Sequence, residues 1–175
     1  MRFLVVPGWQ SSGPDHWQTH LEASLDGASR VAMTDWITPK TADWIDSLER
    51  AVDDCAHPPI VIAHSLGCIA AAHVIARGRV AIAGALLVAP ADLDRPHRPP
   101  ALAGFAPPPR GPLGCPAVVV ASDDDPHASL AASRSLADAW TARLIVLRGA
   151  GHINSASGYG PWPQARVLAE TLTRA

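Results

Sequence analysis

The sequence predicts an α/β fold in which about six mostly parallel strands form one sheet with helices on both faces. Three observations carry this. Short runs of β-branched and apolar residues alternate along the chain with segments of helical periodicity. The runs are apolar throughout, as strands buried on both faces of a parallel sheet are. These units fill the 175 residues with no internal repeat between them, so 1–175 is read as one domain.

Taken in order, Phe3-Leu4-Val5-Val6 is a first strand closed by Pro7-Gly8. Asp15 to Leu25 carries Trp17, Leu21 and Leu25 at a spacing of four, a helical face that Pro14 can open as a first-turn residue. Val31 to Met33 reads as a short strand. Thr41 to Cys55 places Trp44, Ile45, Leu48 and Val52 on one face with Asp43, Asp46, Glu49 and Arg50 outside, an amphipathic helix stopped by Pro58-Pro59. Ile60-Val61-Ile62 is the next strand, and a helix runs from Leu66 to about Arg77. Val80 to Ala89 and Ala117 to Ala121 are apolar strands; Ser129 caps a helix reaching Trp140. Leu144 to Leu147 is the sixth strand, followed by a helix from about Gln164 to Thr173. Asp92 to Pro112 has no periodicity and is rich in proline, which predicts a loop crossing the working edge of the sheet.

Composition narrows the function classes. A chain of this length buries about 70% of its unfolded surface without disulfides or metal. The net charge is −2 and the 14 basic residues are scattered, which leaves no electrostatic footprint for nucleic acid. No stretch approaches the ~20 apolar residues of a membrane span, and the apolar run at the start is too short for a signal peptide. Cys55, Cys68 and Cys115 are an odd set without Cys-x-x-Cys spacing, so neither a disulfide framework nor a zinc site is indicated and a cytoplasmic location is expected.

The chemistry concentrates at the joint between the Ile60–Ile62 strand and the helix that follows. Ser65 lies there, with the small residues Ala63 and Gly67 two positions to either side, as a tightly squeezed strand–turn–helix requires. Such a turn lifts the serine hydroxyl above the sheet and aims the Leu66 amide, at a helix N-terminus, at a developing oxyanion. A serine in this position also serves as an ordinary N-cap, so the rest of the chain decides. Catalytic groups of a doubly wound sheet gather at the C-terminal ends of strands. Ser122-Asp123-Asp124-Asp125-Pro126-His127 follows the fifth strand and Arg148-Gly149-Ala150-Gly151-His152 follows the sixth. Serine, acid and histidine thus come in the chain order of the α/β-hydrolases.

A serine hydroxyl needs an imidazole to take its proton, and the imidazole needs a carboxylate to hold its tautomer and stabilise its charge. His152 is the expected base and Asp125 the expected acid, with Asp124 in reserve. The second oxyanion donor is expected in Pro7-Gly8-Trp9-Gln10, where the backbone can approach a substrate closely, as the Trp9 amide. Gln10, His16 and Trp162 are candidates for substrate binding; for His16 a solvated place on its helix is the competing assignment. His64 reads as a packed neighbour of the site and Cys68 as a small buried hydrophobe. No pair of histidines has metal-ligand spacing with a carboxylate to spare, so neither metal nor other cofactor is expected.

The blocks Val6-Pro7-Gly8-Trp9, Asp15-His16-Trp17-Gln18, Ala63-His64-Ser65-Leu66-Gly67, Asp124-Asp125-Pro126 and Gly151-His152-Ile153-Asn154 through Ser157-Gly158-Tyr159-Gly160-Pro161-Trp162-Pro163 together resemble the small YdeN-like serine hydrolases. The animal retinoblastoma-binding serine hydrolase is a relative of that family. The resemblance spans nearly the whole chain. It implies a compact α/β-hydrolase without a lid domain, with Ser65, Asp125 and His152 as the triad, the acid being the Asp directly before Pro. Family members usually carry Gly at position 63 and an aromatic at position 127, where this chain has Ala63 and His127. The resemblance supports serine-hydrolase chemistry, and the function expected from the residues is cleavage of a small-molecule carboxylic ester through an acyl-enzyme. Two alternatives are a binding protein using the cleft or Pro107-Pro108-Pro109-Arg110 to hold a protein partner, and transfer of the acyl group to an acceptor other than water.

Overall fold

The computed structural model describes residues 2–174. Of the domain expected over 1–175, Met1 and Ala175 lie outside the described residues. Six strands, β1 (Phe3–Val6), β2 (Ala28–Arg30), β3 (Ile60–His64), β4 (Gly84–Val88), β5 (Ala117–Ser122) and β6 (Arg143–Leu147), form one sheet in the order β2-β1-β3-β4-β5-β6. Every neighbouring pair is parallel. The helices are α1 (Trp17–Ser24), α2 (Thr41–Asp53), α3 (Leu66–Arg77), α4 (Leu130–Ala139) and α5 (Pro163–Thr171).

Strand alternation sorts the core into two layers. Leu4, Val6, Val61, Ala63, Leu87 and Val119 face α2, α3 and α4, where Trp44, Leu48, Ile69 and Trp140 pack. Phe3, Ile60, Ile62, Leu86, Val88 and Val120 face α1 and α5, against Trp17, Leu21, Ala165 and Ala169. Both sheet faces are therefore covered, which explains why the strands read as continuous apolar runs. From β1 the chain moves outward to β2 and then returns to β3 on the other side. The strand order thus reverses between β1 and β3, and the crevice above their C-terminal ends is the place where such sheets bind ligands.

That junction is tightly built. Gly67, at the start of α3, lies so close to the end of β1 that a Cβ there would overlap the Val6 carbonyl oxygen and stand 2.6 Å from that of Pro7. Gln18, fully buried on α1, donates from Nε2 to Val6 O (3.2 Å) and Ile62 O (3.1 Å) while its Oε1 accepts from Ser12 Oγ (2.7 Å). One side chain thus bridges β1 and β3 at the crevice and satisfies carbonyls that the sheet leaves over.

Four expected elements differ. The second strand is Ala28–Arg30, paired with Phe3–Val5, and not Val31–Met33. Its register is held from α1, where the Glu22 carboxylate accepts from Arg30 N and Nε, both at 3.0 Å. Val31 and Met33 are apolar because they enter the core beyond the strand. The strand expected over Val80 to Ala89 is confined to Gly84–Val88, the stretch paired with β3, of which Ala85–Val88 also pair with β5. Helix α1 begins at Trp17, two residues after Asp15, because His16 takes the N-cap and Nδ1 accepts from Gln18 N. The proline-rich segment contains a 3-10 helix, Pro100–Phe105, whose Leu102 and Phe105 are buried in the α2–α3 layer. Trp140 Nε1 donates to Pro109 O (2.9 Å), so Pro107–Arg110 lies along the molecule beside α4.

Candidate active site

Ser65 occupies the β3–α3 joint with φ 52° and ψ −118°, outside the ordinary regions for a residue with a side chain. The strain is held from several directions. Ser65 N donates to Val88 O (2.9 Å), and Ser65 O accepts from Cys68 N (3.1 Å) and Ala91 N (3.3 Å). Gly8 presses on the same turn, since a Cβ on it would stand 2.9 Å from Ser65 Cβ and 3.2 Å from His64 O. Close approach at Gly8 therefore serves the turn itself, where the sequence suggested approach to a substrate. Ala63, in β3, keeps an ordinary strand conformation, which is why alanine stands there without penalty.

The residues expected to work together do meet. His152 Nε2 lies 3.0 Å from Ser65 Oγ, and His152 Nδ1 lies 2.8 Å from Asp125 Oδ2 and 3.0 Å from Oδ1. Asp125 Oδ1 also accepts from His127 N at 2.7 Å. The Asp125 side chain is 2% exposed and that of His152 9%, so the ion pair that forms when His152 is protonated is shielded from solvent.

Asp124, the reserve acid, has another task. Three successive side chains at the end of β5 clip the loop after β6: Asp123 Oδ1 accepts from Gly149 N (2.9 Å), Ser122 Oγ from Ala150 N (3.0 Å) and Asp124 Oδ1 from Gly151 N (2.8 Å). The Ser122 hydroxyl, donating to Asp124 Oδ1 at 2.6 Å, and the Gly151 amide hold the Asp124 carboxyl below its ordinary range. The acidic run thus contains two clips and one partner for the imidazole, a division invisible in three consecutive aspartates.

The backbone of His152 is fixed as firmly as its ring. Its N–H donates to Ser157 Oγ (3.1 Å), itself donating to Asn154 Oδ1 (2.8 Å), and its carbonyl faces His64 Nε2 (2.9 Å). A carbonyl can only accept, so His64 carries its proton on Nε2. Trp17 Nε1 ties the next residue through Ile153 O (2.9 Å). His127 lays its ring edge-on to His152 with centroids 4.7 Å apart, filling the place of the aromatic expected there. Burial holds the His127 imidazole below its ordinary pKa, and the neighbouring His152 acts in the same direction.

Two expected substrate contacts lie elsewhere. His16 is buried beside His64 (centroids 4.8 Å), engaged as the α1 cap, and Trp162 packs edge-on to Trp17 and Tyr159, both at 5.3 Å. The ~340 Å³ cleft above Ser65 contains neither of them, because both sit in the layer below the His152 loop. Trp9 and Gln10 do line it, together with Leu93, Arg95, Arg98 and Asn154. Gln10 N is taken by Trp36 O and Ser11 N by Gly8 O, whereas the amides of Trp9 and Leu66 have no acceptor among the described residues. Arg95 and Arg98 were missed in the sequence because the loop that carries them has no periodicity to place it. Among the described residues there is no His, Cys, Asp and Glu grouping fit to hold a metal ion, and no helix is long and apolar enough to cross a membrane.

Burial gives the histidine cluster a pH signature. Desolvation first, and then Arg30, lower the pKa of His16 to about 4, and burial holds His64 well below its ordinary value. In the unfolded chain both titrate near 6.5. Between these values the unfolded state binds more protons, so the contribution is complete above pH 6.5 and is lost as pH falls toward 4. His16 alone accounts for about 2 kcal/mol between pH 7 and pH 5. Unfolding free energies from urea titrations at the two pH values are expected to differ by about that much more in the wild type than in His16→Asn, which keeps a cap acceptor. Equal pH dependence in the two proteins would contradict this.

A family model described as serine hydrolase matches residues 3–170. No curated protein matches the chain. Among solved structures, a YdeN-like hydrolase from Pectobacterium atrosepticum is 33% identical with a TM-score of 0.87, the alignment covering 98% of this chain and 90% of that one. The ydeN gene product of Bacillus subtilis shares the fold at 23% identity and a TM-score of 0.81, with 99% of each chain covered. A thermophilic esterase from Thermogutta terrifontis does so at 14% identity and 0.70, covering 99% of this chain and 90% of that one. The fold is that of a compact α/β-hydrolase, and the chain belongs to the serine hydrolase family.

Proposed function

We propose that this hydrolase cleaves small carboxylic esters through an acyl-enzyme on Ser65. The observation that carries the reading is the unbroken line Ser65 Oγ, His152 Nε2, His152 Nδ1, Asp125 Oδ2, with polar contacts of 3.0 and 2.8 Å. Ser65 Oγ attacks the ester carbonyl as His152 Nε2 takes its proton. The carbonyl oxygen, now an oxyanion, lies against the Leu66 and Trp9 amides, each such donor being worth roughly 3–4 kcal/mol in the transition state. Asp125 stabilises the imidazolium, which then protonates the departing alkoxide. A water molecule, deprotonated by the same imidazole, releases the acid and restores the serine.

The cleft volume of ~340 Å³ suits a small substrate, and esterase chemistry is what the Thermogutta terrifontis neighbour is described as having. The three cysteines are free thiols, in keeping with the expected cytoplasmic setting. No cofactor, nucleic acid or membrane enters this reading. Hydrolysis of 4-nitrophenyl acetate is expected in the wild type, with a loss of about 10⁴-fold or more in Ser65→Ala. Undiminished hydrolysis in that variant would refute the proposal.

A further inference from the structure

The loop that follows β4 sets the charge of the cleft. Arg95 and Arg98 both line the space above Ser65, together with one carboxylate, Asp92. Arg95 donates from one terminal nitrogen to Pro126 O (2.9 Å) and His127 Nδ1 (3.4 Å), and Arg98 from one terminal nitrogen to Leu93 O (2.6 Å). These anchors leave Nε and the second terminal nitrogen of each guanidinium unused among the described residues. Nor does either have a carboxylate within 4.0 Å, whereas Arg30, Arg77 and Arg110 do. Asp92 turns Oδ1 to the amide of Asp94 (3.2 Å). Two half-buried, pinned guanidinium forks thus face the cleft against one carboxylate.

A guanidinium held in place by a carbonyl has lost part of its side-chain freedom already, and its remaining parallel donors match a carboxylate or phosphate. Neutral esters leave those donors to water. Building on the hydrolase reading, we propose that Arg95 and Arg98 select esters bearing an anionic group, a carboxylate or a phosphate, on the part of the substrate that lies along residues 91–99.

Two matched pairs test this. Mono-4-nitrophenyl adipate, whose longer chain disfavours attack by its own carboxylate, against 4-nitrophenyl heptanoate places the charge on the acyl side; 4-acetoxybenzoate against 4-acetoxybenzamide places it on the alcohol side. In at least one pair kcat/KM is expected to favour the anion by about tenfold, the size of a charge-assisted contact of roughly 1.4 kcal/mol. The ratio within the pair is the readout. It is expected to fall toward one in Arg98→Gln, to persist in Arg98→Lys, and to shrink at high salt. The side-chain hydrogen bond of Arg98 stays within its own loop, on Leu93 O, so this variant avoids the contact that Arg95 makes beside Asp125.

The same ligands are titrated calorimetrically into Ser65→Ala, where binding is read without turnover, and there too the anion is expected to bind about tenfold tighter. Ratios near one in both pairs and equal binding would overturn the proposal, as would a preference unchanged in Arg98→Gln. Absence of hydrolysis with preferential anion binding would refute the hydrolase reading and leave this one standing.

Discussion

Replacing Asp125 by Asn is expected to lower kcat/KM for a short aryl ester by about 10⁴-fold, while Asp124→Asn is expected to lower it by less than about tenfold. The contrast follows from who donates to whom. The His127 amide donates to Asp125 Oδ1, so an Asn at 125 would keep its carbonyl oxygen there and turn its NH₂ toward His152 Nδ1. Nδ1 would then have to accept, the ring proton would move to Nε2, and the nitrogen facing Ser65 could no longer take a proton. At position 124 both contacts are donors to a single oxygen, the Ser122 hydroxyl and the Gly151 amide, and an Asn carbonyl can receive both. Steady-state rates on 4-nitrophenyl acetate for the two variants decide it. The reverse order would make Asp124 the acid.

Gly67→Ala is expected to destabilise the protein by about 3–5 kcal/mol, measured from urea midpoints, and to abolish hydrolysis in whatever folded fraction remains. The added Cβ would overlap the Val6 carbonyl and crowd that of Pro7, and both obstacles are backbone. Relief requires α3 to move away from β1. That movement carries Ser65 and the Leu66 amide with it, so stability and activity fall together. Gly111→Ala, where an added Cβ meets nothing within 4 Å, is the control and is expected to change stability by no more than about 0.5 kcal/mol. A Gly67→Ala protein as stable and active as the wild type would mean that the junction is looser than described.

Much of this arrangement was legible before the structure, and the limits have physical causes. Ser65, the acid run and His152 are legible because a parallel sheet sends its functional groups to the loops after strands, and these residues stand within five positions of a strand end and in fixed chain order. Asp125 is the expected acid and the Asp-Pro of the resemblance favours it further, but the clip roles of Asp123 and Asp124 are hidden, because each has the same chemistry and only the spacing of the Gly149–Gly151 amides separates clip from partner. Nearness in sequence to the site makes His16 and Trp162 candidates for substrate contact. Their side chains instead turn into the α1–α5 layer, where a cap and an aromatic cluster use them. Gly8 suggests substrate approach in the sequence, whereas in the fold its missing side chain makes room for the serine turn. The loop 92–112 was opaque, since its order comes from contacts distant in sequence, Phe105 in the helical layer and Pro109 on Trp140.

Covalent labelling with a fluorophosphonate probe followed by peptide mapping tests the Ser65 nucleophile most directly. A single adduct on Ser65 is expected in the wild type, absent from Ser65→Ala and from His152→Ala, because the hydroxyl reacts only while the imidazole 3.0 Å away can take its proton. A folded wild type that stays unlabelled, or an adduct that persists in His152→Ala, would contradict it.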